Sequence, residues 1–431
     1  MLRVCTSLPL LSLIAGVAWS EVHTLTLQQA LAIAARQNPD VLLARLDSQH
    51  AAAGIDVARD PFSPRFAARS DAVYTSGYPN NVNGHSPSLL AGQVDLTLYD
   101  RARRYQIAAS REQVAIYDHT ARGKLDDVAY RIALLFLDAQ SCAQAAEIAA
   151  REVASLEKAA TAANARVQEG YALPVDARQA QVDFAAVRQK AEAFQLDEHY
   201  PETLLATALG FSGNDRVHPA AAARDIVLPE ESEDKAADAA MTNNQALLSL
   251  QASAFAKRIE LHSYRNTHTP QVNLVAQYSL IQKSTYESYF PTNLVQRNNG
   301  EIGADFILPL LVGTAPIGRL LQAQTDLEKL QLQIYQLRNR ITADTRRAYQ
   351  QLKKAQEWLD VSRQRSEIAT GDLSLALSLS SEGRIGLTDL EKTRTAANDR
   401  EIAVRQAEID VEKAKLEILR QLGVVAVTLS R

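Results

Sequence analysis

Two stretches of this chain match each other at one fixed offset, and that duplication limits the folds open to it. Glu169-Gly170 is followed six residues after the glycine by Asp176, and Glu382-Gly383 is followed at the same spacing by Asp389. Each stretch then runs as a helical pattern to a Leu-Gly stop, Leu209-Gly210 and Leu422-Gly423, and all these pairs lie 213 residues apart. Agreement at both ends of a 41-residue stretch marks an internal repeat. The repeats read as residues 21–210 and 234–423, with a linker over 211–233 and a C-terminal tail over 424–431.

Upstream of each glycine lies one long helical pattern. The first runs from about Arg101 to Glu169, with an apolar seam at Ala121, Leu125, Val128, Ile132, Leu135, Ala139, Cys142, Ala146, Ala149, Val153, Leu156, Ala160, Ala163 and Val167. Steps of four and three alternate throughout, the heptad pattern of a left-handed supercoil. Alanine at many of these positions predicts close approach of a neighbouring backbone. The second pattern, about Arg319 to Ser381, holds the phase from Leu327 to Ala348 and then drifts. A helix of about 65 residues is a rod of roughly 100 Å. Four shorter helices, Thr26–Arg59, Pro174–Leu209, Asp234–Tyr264 and Leu387–Leu422, are about half that length. Two stacked end to end match one long rod, the wall of a duct.

Between short and long helix each repeat alternates with period two. Leu90, Gly92, Val94, Leu96 and Leu98 alternate with Ala91, Gln93, Asp95, Thr97 and Tyr99; the partner run, Pro64–Tyr74, is weaker. In the second repeat Val272, Leu274, Ala276, Tyr278 and Leu280 alternate with Asn273, Val275, Gln277 and Ser279, and Ile302 to Leu310 alternates with Glu301, Gly303, Asp305 and Ile307. Strands apolar on one face and polar on the other describe a transmembrane barrel with a wet lumen; a soluble sheet with one wet face has the same pattern. On the barrel reading Gln93, Asp95, Thr97, Asn273, Gln277, Glu301 and Asp305 face the lumen. Turn-rich segments at Gly77–Gly84 and Ser284–Gly300 read as loops, the second placing Tyr286, Tyr289 and Phe290 where a barrel keeps an aromatic girdle. Four strands cannot close a barrel, and lipid does not tolerate open sheet edges, so the remaining strands must come from other copies of the chain.

The first 20 residues read as a signal peptide: Arg3, an apolar core over Leu8–Ala18, and small residues in Ala18-Trp19-Ser20. A buried N-terminal helix is the competing reading. The apolar core is too short to span a bilayer. Cys5 leaves with the leader, and Cys142 is then a lone small hydrophobe in the helical seam. Apolar residues make up 46% of the chain but aromatics only 6%, as in long helices, and a net charge of −4 provides no field for nucleic acid. The eight histidines are scattered without helical metal spacing, no phosphate-cradling glycine loop appears, and no nucleophile has a base in register. The chain reads as a non-enzyme without cofactor or metal.

The order of leader, short helix, hairpin, long helix, glycine turn and short helix, then the same again, resembles the TolC family of outer-membrane efflux proteins. Local stretches carry the resemblance: Leu96-Thr97-Leu98-Tyr99-Asp100 at the barrel-to-helix junction, Arg166–Asp176 at the first periplasmic turn, Glu382–Asp389 at the second, and Leu308-Pro309-Leu310 at the second barrel exit. The resemblance implies a mainly α fold: long antiparallel coiled-coil helices forming a periplasmic α-barrel, plus four β-strands per chain in a 12-stranded trimeric barrel. It implies a homotrimer in outer-membrane lipid of a Gram-negative bacterium, with its helices in the periplasm. It also implies a periplasmic adaptor and an inner-membrane pump docked at the helical tips, and a tip closed by polar links and an acidic ring. An Asp at the position of Asp389 lines that constriction in the family. Here the second acid, three residues on, is replaced by Lys392, and the tyrosine before the turn by Ser380.

These features make the chain a passive exit duct, with a secreted coiled-coil scaffold without a pore as the alternative. The gate residues are then Asp389, Arg384 and Asp176, with Gly170 and Gly383 as tip turns. Capping of the returning helices is an equal reading of Asp176 and Asp389. Gly170 and Gly383 read most simply as turn residues with positive φ.

Overall fold

The computed structural model describes residues 21–70, 88–171, 173–220, 226–230, 232–265, 268–281, 298–310 and 313–430. The expected signal peptide, the loop over residues 77–84 and the aromatic trio Tyr286, Tyr289 and Phe290 lie outside the described residues. The chain divides into two compact units, one of residues 1–42, 125–240 and 344–431, the other of residues 43–124 and 241–343.

The sequence order runs β1 (Val22–Leu25), α1 (Leu27–Gln37), α2 (Pro39–Arg59), β2 (Arg65–Arg69), β3 (Ser88–Asp100), α3 (Arg101–Gln168) and α4 (Pro174–Leu209). Then follow β4 (Arg216–Pro219), α5 (Glu233–Asn243), α6 (Gln245–Arg265), β5 (Gln271–Ile281), β6 (Asn298–Ile307), α7 (Ala315–Ser381), α8 (Leu387–Leu422) and α9 (Val425–Leu429). The two long helices and the two returning helices stand where the heptads and Leu-Gly stops put them. The four landmark glycines all sit at positive φ: 78° at Gly170, 90° at Gly210, 71° at Gly383 and 68° at Gly423. Each closes its helix with the same pair of bonds. At Gly170 the glycine N–H donates to the Val167 carbonyl at 3.1 Å and the next N–H, of Tyr171, to Arg166 at 2.8 Å; at Gly383 the acceptors are Ser380 and Leu379. Such caps use up orphan carbonyls, and only glycine enters them without steric cost.

The first unit holds one hydrophobic core, in which Leu27, Ile132, Phe136, Leu205, Leu209, Leu416 and Leu419 are buried. α3 contributes Val128, Ile132, Phe136 and Leu137 to that core, and its seam stays buried further along, at Ala139, Ala146, Ala149, Leu156, Ala160 and Ala163. α3 contains an 18-residue stretch apolar enough by length and composition to cross a membrane, 44% of it buried within the protein. α8 is held against α3 by polar contacts as well, Arg151 to Glu401 at 3.1 Å, Ser141 to Gln406 at 2.6 Å and Lys413 to Asp138 at 2.6 Å.

Several expectations need correction. Thr26–Arg59 is two helices, broken at Asn38, because Pro39 disfavours a helical residue before it. Asn38 turns the break into a new start: its Oδ1 accepts from the Val41 N–H at 3.2 Å and its Nδ2 donates to the Ala208 carbonyl at 2.7 Å. The expected helix Asp234–Tyr264 is likewise broken at Asn244, whose Oδ1 accepts from the Leu247 N–H at 3.1 Å. The linker contains β4, which pairs in parallel with β1, Val22 opposite Arg216 and Leu25 opposite Pro219. The tail contains α9, with Val425 and Leu429 buried in the core. The α7 seam does shift: Ile341, Ala348, Ser362 and Ala376 keep one heptad position, while Thr345, Leu352 and Leu359 are buried one residue after the position that Leu330 and Leu337 set.

The second unit contains an antiparallel sheet in the order β2-β3-β5-β6, so β2 and β6 are its edges. At the exit of β3, Asp100 accepts from the backbone N–H of Arg103 at 3.1 Å and from its Nε at 3.0 Å, which caps the start of α3.

Candidate functional site

Register decides which side chains share a face of this sheet. Gln93 lies opposite Gln277, which lies opposite Glu301; Thr97, Asn273 and Asp305 form a second such row. Asp95 stands opposite Arg65 and Val275. All seven residues expected on one face are therefore aligned there. Arg69 Nη2 donates to Gln93 Oε1 at 2.8 Å, and Gln93 Nε2 to Asp95 Oδ1 at 2.9 Å. The other face is apolar: Phe66, Val94, Ala276 and Ile302 follow one another across all four strands. Phe66 is 74% exposed and Ile302 83%, so in the single chain this apolar face has no cover. It carries a groove of about 680 Å³ lined by Phe66, Leu90, Tyr278 and Ile302. Tyr99 is a correction: a register shift between Thr97 and Tyr99 sets it opposite Val272, in the apolar set, and the Arg104 guanidinium covers its ring at 5.0 Å.

The glycine turns of the first unit gather the second set of residues. Pro174 opens α4, and Asp176, two residues later, accepts the Leu173 N–H at 3.2 Å. That bond makes Asp176 a cap. Asp389 holds the corresponding place in the first turn of α8. Asp176 and Asp389 both line one crevice of about 400 Å³, together with Arg166, Tyr171, Asp183 and Glu391. Four carboxylates face one guanidinium there, so the crevice is acidic. Arg384 lies outside that lining, paired with Glu382 of its own turn at 3.4 Å, both side chains exposed.

One residue at this crevice went unread in the sequence. Glu391 is buried, accepts from Arg394 Nη1 at 2.7 Å and from Ser155 Oγ at 3.4 Å, and so ties α8 to α3. The signal was available as an acid and a base three apart on one helix face. Cys142 is half-buried; burial first, then the charges of Asp197 and Asp138, hold its thiol above the usual range, which suits a packing residue.

Residues 27–211 match the outer membrane efflux protein family. Over 335 residues the chain is 22% identical to the outer membrane efflux protein BepC of Brucella suis biovar 1 (strain 1330), covering 77% of this chain and 71% of that protein. Among solved structures the chain is similar in fold to CusC, with a TM-score of 0.75 at 12% identity over 92% of each chain. It is equally similar to the CmeC outer membrane channel of Campylobacter jejuni, with a TM-score of 0.75 at 11% identity over 92% of this chain and 85% of that one.

Proposed function

We propose that this chain is an outer-membrane efflux protein, the exit duct of a tripartite efflux or secretion system, a passive homotrimeric channel and not an enzyme. The observation that carries the reading is the sheet: four strands with one continuous polar face, one uncovered apolar face, and two open edges, β2 and β6. Lipid covers the apolar face, and open edges in lipid leave backbone groups unsatisfied. Three copies joined edge to edge close a 12-stranded barrel, within the size range of such barrels. Gln93, Asp95, Thr97, Asn273, Gln277, Glu301 and Asp305 then face a wet lumen.

The acidic crevice at the glycine turns supplies the gate. Around a threefold axis, Asp389 and Asp176 of three copies concentrate negative charge, and Arg384 provides the nearest exposed cation for a link between copies. A periplasmic adaptor and an inner-membrane pump dock at these turns and supply the energy. Native mass measurement of the detergent-solubilised protein, followed by conductance in planar bilayers, tests the reading. A trimer that conducts supports it; a stable monomer, or a trimer that leaves bilayers sealed even with its adaptor, points to a coiled-coil scaffold.

A further inference from the structure

One cluster of side chains in the first unit has no part in the duct or its gate. Glu198 and Glu202 stand one turn apart on α4, so both carboxylates leave the helix on the same face. β4 runs past them. Val217 of β4 is fully buried in the core, and strand alternation turns its neighbours Arg216 and His218 to the opposite side. His218 Nδ1 lies 2.7 Å from Glu202 Oε1 and 3.3 Å from Glu198 Oε1. The Glu202 side chain is only 4% exposed, whereas that of His218 is 43% exposed. One carboxylate is thus sunk into the protein, and the imidazole closes over it from solvent.

The repeat shows that the architecture does not require these groups. At the 213-residue offset Glu198 corresponds to Val411 and Glu202 to Lys415, and α8 packs without the pair. A buried carboxylate beside a second one carries a desolvation cost that a cation offsets. Arg216 Nη1 and His199 Nδ1, each 3.9 Å from Glu202 Oε2, are too distant for a hydrogen bond and leave that offset incomplete.

The geometry points to a binding site for a divalent transition-metal ion of the zinc type, held by Glu198, Glu202 and His218. One imidazole nitrogen and two carboxylates are a donor set suited to such ions. The three ligand atoms lie within 4.8 Å of one another. Bonds of about 2.0–2.2 Å place ligand atoms at most roughly 4 Å apart, so side-chain rotation of less than about 1 Å completes the set. The exposed side of His218 leaves room for a water as fourth ligand. The ion would fasten β4, and through its pairing β1, to the end of α4.

The test uses the full-length protein in detergent, stripped with a chelator and then dialysed against zinc. The parent should retain one zinc per chain, and its unfolding temperature should rise with zinc concentration. Glu202→Gln, which keeps a hydrogen-bond acceptor for His218, and His218→Ala, at an exposed position, should each lose the bound equivalent and the zinc-dependent rise. Each should unfold like the parent in chelator. His50→Ala, at an exposed histidine of α2, should bind like the parent. If the parent binds no zinc, or both ligand variants retain it, the cluster is an ion-pair network completed by Arg216 and the site does not exist.

Discussion

Asp126 and Ala426 are joined by one hydrogen bond, the Ala426 N–H donating to Asp126 Oδ1 at 2.9 Å. Through it α3 holds the first turn of α9, and with it the end of the chain. Burial raises the Asp126 pKa to about 6; the Ala426 bond pulls it down, and the charge of Asp127 adds to the rise.

A raised carboxyl pKa has a definite sign in stability. The folded state binds the proton more tightly than the unfolded one, so stability is greatest below about pH 4 and is lost as pH climbs through 6. Two pKa units carry roughly 3 kcal/mol, and the part of the side chain left in solvent reduces this to about 1–2 kcal/mol. Asp126→Asn keeps an oxygen for the Ala426 N–H and removes the charge. The variant should be more stable than the parent at pH 7 and should lose the parent's decline between pH 4 and 6, measured by thermal unfolding in detergent. An unchanged decline would assign it to other groups.

The alanine seam gives a steric prediction. Ala149 is fully buried and Ala146 nearly so, on the face of α3 that heptad spacing selects. Leucine at either site has no room, and Ala146→Leu or Ala149→Leu should destabilise the protein by about 1–3 kcal/mol. Chemical denaturation of both variants checks it; unchanged midpoints would mean that the seam relaxes freely.

Much of this architecture is legible because long helices repeat their signal many times over. Fourteen seam positions in α3 fix its phase, and the glycines at 170, 210, 383 and 423 mark ends that almost no other residue could make. What escaped is short or depends on distant partners. β1 and β4 have four residues each and pair across more than 190 positions, too little pattern to reveal a strand. Asn38 and Asn244 break helices whose apolar spacing continues on either side. Thr345 and Ser362 are buried in the α7 seam although they are polar, so apolar spacing alone does not trace that seam. The polar row of the sheet was legible from alternation until the shift at Tyr99, because one extra residue in a ladder reverses every assignment after it. At the tip, Asp176 and Asp389 stood out through the repeat, whereas Glu391 shows its importance only once Ser155 of α3 is beside it.

The Glu391–Arg394 pair should anchor the tip end of α8. The Glu391 side chain is 9% exposed and that of Arg394 27%, so solvent screens the pair only in part. Arg394→Ala leaves a buried carboxylate with only the Ser155 hydroxyl and should cost about 1–3 kcal/mol. Glu391→Gln with Arg394→Ala, which removes both charges, should recover a good part of that loss. A double-mutant cycle on unfolding midpoints separates the two; strict additivity would place each residue in its own solvent shell.

The last prediction separates the two acids of the crevice. Asp176 accepts the Leu173 N–H, so Asp176→Ala should lower stability by about 1 kcal/mol, the ordinary cost of a lost cap. Asp389 sits in the same turn of its own helix, but no neighbouring backbone N–H is bonded to its carboxylate among the described contacts, which leaves that charge for the opening. Three copies around an axis should draw cations and repel anions, as acidic rings do. Asp389→Ala should therefore reduce cation preference in planar bilayers while leaving stability nearly unchanged. Arg384 differs again. Its bond to Glu382 is exposed and worth about 0–1 kcal/mol, so exchanging Glu382 for Asp176 or Asp389 of a neighbouring copy costs little. Weak links of that kind suit a gate that a docking partner opens, and Arg384→Ala should raise single-channel conductance at rest. If Asp389→Ala selects like the parent and Arg384→Ala conducts like it, the constriction lies away from these turns, and both acids serve only their helices.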